Sequence, residues 1–313
     1  KAPEWARSDL RESGPPDNPQ DLADFISFML NDTKIGGVID AIEIWNEPNL
    51  IREWRGPLPF SGGGYMQLFR PAYDAIRAYS PTMAIVTAGL APTSHPTDAI
   101  DDRLYLQQMY DAGLANYSDV IIGVHPYGWA NPPDALCCAP TGNVQTHYES
   151  DVFYFRENLN AYREIMVSTG DEETPIWITK FGWGTSEDTD PPGEINVFVT
   201  YTSLNQQAIF VPRAFELAQE LGYVGPMFLD NLNGCQSVQS QVLAELCYTS
   251  LISPDNVPRP VYDAVRQLDK SGVAATSDEP APVFVPLPMD DEDEVEEAED
   301  SEADEPVSLT PVG

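Results

Sequence analysis

Five short, nearly unbroken apolar runs recur along this chain, each followed by a stretch of helical periodicity, and that alternation constrains the fold more than any other feature. The runs are 39–47, 83–91, 120–127, 175–183 and 225–232, and the helical stretches lie near 65–79, 102–112, 153–168, 205–221 and 261–269. A further helix is expected at 19–30, ahead of the first run. In the stretch 65–79, Leu68, Tyr73, Ile76 and Tyr79 share one face, as a helix packed on a sheet requires. A run as continuously apolar as 83–91 is buried on both faces, which a parallel sheet covered by helices provides. Strands alternating with helices at this spacing predict an α/β fold with a parallel sheet and right-handed crossovers. Pro258 and Pro260 favour a break before the last helix.

The ends of these runs carry the chemistry. The first closes on Trp45-Asn46-Glu47-Pro48, the third on His125-Pro126-Tyr127-Gly128, the fourth on Lys180-Phe181-Gly182-Trp183-Gly184 and the fifth on Phe228-Leu229-Asp230-Asn231. Over roughly residues 1–270 these motifs resemble the clan A glycoside hydrolases, retaining enzymes on (β/α)8 barrels, and within them the xylosidase-like and cellulase-like families. The resemblance implies that Asn46 and Glu47 end the fourth barrel strand, with Glu47 as general acid/base. It also implies that His125 and Tyr127 border the sugar at the sixth. At the seventh strand the position of the nucleophilic Glu holds Lys180. At the eighth, where such enzymes commonly place a Trp, Asp230 stands beside Asn231. Trp129 and Trp183 complete the expected substrate contacts. Trp45 and Trp183 are expected to be partly structural, and Trp54 and Trp129, in loops beside Pro and Gly, more exposed.

The fold class is then a parallel (β/α)8 TIM-barrel type lacking its first two to three strands, with residues 1–6 as the tail of a third. A complete barrel has eight strands, and an open parallel sheet exposes two edges. The missing portion is expected to lie upstream in the parent gene product, or to be supplied by a partner chain or self-association.

Retaining hydrolysis needs two carboxyl groups flanking the glycosidic oxygen. An ammonium group at the second place is no nucleophile at neutral pH, and it opposes the oxocarbenium-like transition state. It also lowers the proton affinity of Glu47, making it a poorer acid. An ion pair between Lys180 and Asp230 across adjacent strand ends would neutralise the ammonium. In the competing arrangement Lys180 reaches out to solvent and Asp230 is a surface loop residue. Glu149, Glu187 and Glu194 are carboxylates in loops of the same face, but loops lack the positional accuracy that a relocated nucleophile requires.

The chain carries a formal net charge of −34. Residues 275–313 hold 14 acidic and no basic side chains, while the preceding 274 carry 36 acidic against all 16 basic, net −20. This disfavours nucleic acid by phosphate repulsion and suits a neutral or basic ligand; the resemblance implies an oligo- or polysaccharide as that partner. The expected organisation is a partial barrel domain over 1–273 and an acidic, Pro-rich disordered tail over 274–313. No apolar stretch approaches the roughly 20 residues that span a bilayer, and no signal peptide is visible behind Lys1. His95, His125 and His147 show no metal-ligand spacing, so neither metal nor cofactor is expected. Cys137, Cys138, Cys235 and Cys247 allow three full disulfide pairings, among which the sequence does not choose; links from the loop after the third run to the segment after the fifth are favoured because vicinal cysteines rarely bridge, and they would imply an oxidising, extracellular or cell-surface location, with buried free thiols as the alternative. Three functions follow: a glycosidase-derived carbohydrate-binding pseudoenzyme, an active retaining O-glycosyl hydrolase using Glu47, or a structural or assembly subunit.

Overall fold

The computed structural model describes residues 1–93, 97–138, 147, 149–237 and 244–268. Among these, five parallel strands form one sheet in sequential order: β1 (Ala41–Ile44), β2 (Ala84–Thr87), β3 (Val120–Val124), β4 (Ile176–Phe181) and β5 (Val224–Leu229). The helices are α1 (Gln20–Asn31), α2 (Gly62–Tyr79), α3 (Asp102–Asp111), α4 (Phe155–Ser168), α5 (Leu204–Leu221), α6 (Ala244–Thr249) and α7 (Pro260–Gln267). The sheet curls into a half-barrel with helices on its outer side. The strands and helices expected for the five apolar runs and the helical stretches form, and α6 is an additional helix.

The core lies between sheet and helices. From α2, Tyr65, Met66, Leu68, Phe69, Ala72 and Ile76 are buried against Ile44 and Ile85 of the sheet. Ser61 caps this helix by accepting from the Gly64 N–H at 3.1 Å, which satisfies one of its otherwise unpaired first-turn donors. Tyr79, expected on the buried face, is exposed at the helix end. On α5, Ser203 and Gln206 form a reciprocal capping box, and Phe210, Val211, Ala214 and Leu217 are buried.

Three expectations are corrected. Residues 1–6 hold no strand, only an extended entry and a single 3-10 turn over Glu4–Ala6, with the Ala2 N–H bonded to the Gly14 carbonyl at 3.0 Å. The cysteines do not bridge the two loops: Cys235 pairs with Cys247, and Cys137 with its neighbour Cys138. The turn Gly234–Ser237 packs on α6, bringing the Cα atoms of Cys235 and Cys247 within 4.1 Å. Trp54 is buried, not exposed, because its indole N–H reaches the Pro59 carbonyl at 3.0 Å and its ring meets Trp45 edge-on. The acidic tail and His95 lie outside the described residues.

β1 and β5 are the two edges of the sheet. Val38, just ahead of β1, and Phe228 and Leu232, in and after β5, are exposed, as are Phe25 and Phe28 of α1. Among the described residues no helix is long and apolar enough to cross a membrane.

Candidate active site

The runs overshoot the strands at their C-terminal ends, and those overshoots converge on one mouth. After Ile44 the backbone leaves β geometry sharply: Trp45 has φ 76° and Glu47 φ 44°, both in the left-handed region. For side chains this bulky the region costs on the order of 1–3 kcal/mol per residue and persists only where surroundings enforce it. Here the enforcement is visible. The Tyr65 hydroxyl donates to the Ile44 carbonyl and accepts from the Ala88 N–H, each at 2.9 Å, clamping the ends of β1 and β2 together. The Trp45 indole donates to the Glu53 carbonyl at 3.1 Å, and the Glu47 N–H to the Gly89 carbonyl at 3.0 Å. Glu47 is thereby turned, almost fully buried, into the wall of a cavity of roughly 830 Å³.

His125 follows β3 directly and is buried, its Nδ1 3.0 Å from Glu47 Oε1. The ring passes so close to β2 that a Cβ at position 89 would lie 2.3 Å from it, so only glycine serves there. On the side of Nε2, at 4.0 Å, stands Glu43, whose Oε1 also accepts from the Gly89 N–H at 2.8 Å and the Thr179 hydroxyl at 2.9 Å. Glu43 ties β1, β2 and β4 together beneath the site. Sequence reading passed over it as part of an apolar run.

In β4 the pairing with β5 slips between Ile178 and Phe181, a local irregularity of the kind that re-aims side chains. Lys180 enters the cavity wall from this segment. Its Nζ lies 3.9 Å from Glu47 Oε1, 3.9 Å from Asp230 Oδ2 and 5.9 Å from the centre of the Tyr127 ring. Both arrangements weighed for it are realised in part, since the side chain is 32% exposed yet stands between two carboxylates. The Tyr127 hydroxyl donates to Asp230 Oδ2 at 3.5 Å. Burial, with the charges of Asp230 and Glu47 behind it, pushes the Tyr127 hydroxyl well above its usual range, so it stays protonated.

Burial alone would push the Glu47 carboxyl up. Burial is the largest single influence, but the hydrogen bond from His125 together with the charges of His125, Lys180 and Arg52 outweighs it, and the carboxyl is brought down to about 2. The Arg52 guanidinium contributes from 4.0 Å. Glu47 is therefore ionised at neutral pH, the wrong state for a proton donor.

The structure brings Glu47, Tyr127, Trp129, Lys180 and Asp230 onto one cavity wall, with His125 immediately behind. The remaining three are not on that wall. Asn46 is exposed, carried outward by the left-handed turn that buries its neighbour. Trp183 is core: it packs on Phe155, Phe181 and Phe210, and its indole donates to the Asn131 carbonyl at 2.8 Å. Asn231 is spent on its own turn, donating to the Leu246 carbonyl at 2.7 Å and accepting from the Gly234 N–H. Glu149, Glu187 and Glu194 do not line the cavity, and Glu187 instead accepts from the Leu204 N–H at the start of α5.

Sequence reasoning missed several wall residues. Phe198, from the 3-10 segment Glu194–Tyr201, meets Trp129 edge-on with ring centres 4.5 Å apart. Arg52, Glu245 and Tyr248 also line the cavity. The segment bearing Glu245 and Tyr248 is held by buried Arg259, which donates to the carbonyls of Cys247, Tyr248 and Ser250 and pairs with both carboxylate oxygens of Asp188, at 2.6 and 2.9 Å. Among the described residues no cluster of His, Cys, Asp and Glu is arranged to hold a metal ion.

The described strands and helices form a partial (β/α)8 scaffold. Among solved structures the chain is similar to the Ignisphaera aggregans GH53 catalytic domain, with a TM-score of 0.52, 14% identity, and coverage of 82% of this chain and 69% of that one. It is also similar to a glucosidase from Croceicoccus marinus (TM-score 0.55, 11% identity, 81% and 46%). A monomeric beta-xylosidase from Caulobacter crescentus CB15 is a further match (0.51, 16%, 84% and 50%). The chain thus spans about half the length of the latter two. At these identities the likeness is one of fold. No protein-family profile matches the sequence, and no curated protein does.

Proposed function

We propose that this chain is a carbohydrate-binding protein of glycoside-hydrolase descent whose hydrolytic chemistry is impaired. The observation that carries this reading is the Lys180 ammonium, 3.9 Å from Glu47 Oε1 in a cavity at the strand ends. Lys180 takes the place of the attacking carboxylate, and by helping to keep Glu47 ionised it also withholds the proton that a leaving oxygen needs. The wall keeps what binding a sugar requires: acceptors in Glu47 and Asp230, donors in Lys180 and Arg52, and aromatic faces in Tyr127 and Trp129. The ligand is an oligo- or polysaccharide, and the two cysteine pairs support an extracellular or cell-surface setting.

The test is titration of the protein with xylo- and gluco-oligosaccharides, read by tryptophan fluorescence and by reducing-end release. Saturable binding without release is expected, with affinity falling about tenfold in Trp129→Ala. Absence of binding to any neutral glycan would refute the reading.

One observation favours assembly alongside binding. Two sheet edges with exposed Val38 ahead of β1 and exposed Phe228 and Leu232 at β5 suit coverage by further β/α structure, whether a partner chain or a second copy.

A further inference from the structure

The cleft wall is unevenly charged. Five carboxylates line the cavity, Glu12, Glu47, Asp98, Asp230 and Glu245, against three cations, Arg52, Arg55 and Lys180. Each cation is already matched: Arg55 meets Glu12 at 2.6 Å, Lys180 stands 3.9 Å from both Glu47 and Asp230, and Arg52 is 4.0 Å from Glu47. Asp98 and Glu245 are exposed to the cavity, and neither has a cation at ion-pair distance among the described residues. Glu245 does not stand alone. One turn further along α6, on the same face of the helix, Tyr248 also lines the cavity. Tyr248 is only 7% exposed, yet its hydroxyl has no hydrogen-bond partner among the described residues. A polar group so deeply buried is ordinarily paired, and one that lines a cavity is paired by what the cavity takes up. Burial, and after it the charges of Glu245 and Asp190, push this hydroxyl up, so it keeps its proton. The charge of Glu245 reaches Tyr127 as well, where it adds to those of Asp230 and Glu47. Negative potential is thus concentrated where Tyr127, Asp230 and α6 meet.

We propose that this side of the cleft is a subsite for a protonated amino group, and that the ligand is a glycan containing 2-amino-2-deoxy sugar residues. The proposal rests on the carbohydrate reading of the cleft and names the class of sugar within it. A neutral sugar would take water from Glu245 without offering a charge to replace it, whereas an ammonium offers both charge and hydrogen bonds. The Glu245 and Asp230 carboxylates and the Tyr248 hydroxyl are three acceptors, as many as an ammonium has donors. The face of Tyr127 attracts cations besides, and the Lys180 ammonium already lies 5.9 Å from its centre. An N-acetylated amine has neither the charge nor the three donors. The surplus of acids over bases in residues 1–274 steers a cationic glycan towards the cleft and slows its escape.

The experiment titrates the full chain with a glucosamine tetrasaccharide, its N-acetylated counterpart and the glucose tetrasaccharide of the same linkage, at a pH where the amine is protonated, read by tryptophan fluorescence. The amino form is expected to bind at least about fivefold more tightly than either neutral form, with an advantage that shrinks as salt is added. Glu245→Gln should lower the affinity for the amino form about threefold and leave that for the neutral forms unchanged. Asp74→Asn, an equal loss of charge on the exposed side of α2, should alter neither. Neutral forms binding as tightly as the amino form would overturn the proposal and leave the cleft reading standing. So would an advantage that survives Glu245→Gln undiminished. An Asp74→Asn loss as large as that of Glu245→Gln, or oligolysine binding as tightly as the amino tetrasaccharide, would also overturn it, since either marks attraction by net charge alone. Binding of none of the three tetrasaccharides would instead strike the cleft reading itself, and this proposal with it.

Discussion

Replacing Lys180 by Met removes one charge from beside Glu47 while keeping the length of the stem, and the consequence for the Glu47 carboxyl can be worked out. At about 4 Å two unit charges interact by roughly 1 kcal/mol in water and roughly 4 kcal/mol at an effective dielectric of 20. One pKa unit corresponds to about 1.4 kcal/mol, so the limits span about 0.7 to 3 units. Lys180 is one-third exposed, and among the influences that lower Glu47 it ranks behind the hydrogen bond and the charge of His125, which places the effect near the lower limit. The Glu47 carboxyl, held at about 2, should therefore rise by about one unit in Lys180→Met and still stay below 4.5, because the His125 contact at 3.0 Å persists. Carbon-13 NMR of the side-chain carboxyl, assigned with Glu47→Gln, reads this directly. An unmoved titration would show that the ammonium does not act on Glu47, and a rise past 4.5 would show that His125 does not hold it.

Other outcomes follow from the same structure. Burial, and then neighbouring Asp101, push the Asp102 carboxyl up to about 7 from an unfolded value of 3.8, so the folded state keeps a proton that the unfolded chain releases. That contribution is complete below pH 3.8 and is lost as pH rises through 7; Asp102→Asn should flatten the decline and be on the order of 3 kcal/mol more stable than wild type at pH 8, measured by urea unfolding. Glu47 acts in the opposite sense, its contribution being present above pH 4.5 and lost as pH falls towards 2, so unfolding curves of Glu47→Gln should show a shallower acid limb than the wild type's. Asp188→Asn leaves the Arg259 guanidinium poorly compensated; after allowance for partial exposure of Asp188 the expected loss is about 2 kcal/mol, with weaker sugar binding as the Glu245–Tyr248 wall loosens.

Much of this architecture was legible because hydrophobic periodicity reports burial directly. The runs over β2, β3 and β4 are apolar since helices cover one face and the barrel interior the other, and the cleft residues Glu47, Tyr127, Lys180 and Asp230 were readable as strand-end positions. What escaped depends on contacts distant in sequence. Trp54 sits among loop residues, and nothing local announces that the Pro59 carbonyl and the Trp45 ring enclose it. Trp183 and Asn231 lie at strand ends like true wall residues, but their polar groups are taken by Asn131 and Leu246. The cysteine pairing depended on α6 folding back against the preceding turn, and α6, a six-residue helix, is too short to show a period. Arg259 holds three carbonyls and Asp188, a role that no residue spacing encodes. The left-handed turn at Trp45 and Glu47, which aims the acid and discards Asn46, is a backbone property expressed only once Tyr65 and Gly89 are in place.

The central claim is that one side chain disables the cleft, and the most direct measurement restores the other charge. Purified wild type and Lys180→Glu should be assayed side by side on aryl glycosides and oligosaccharides, with proton NMR of the released sugar. The wild type is expected to bind without turnover, and Lys180→Glu to hydrolyse with retention of configuration. Turnover by the wild type, or a correctly folded Lys180→Glu that binds sugar and leaves every glycoside intact, would contradict the account.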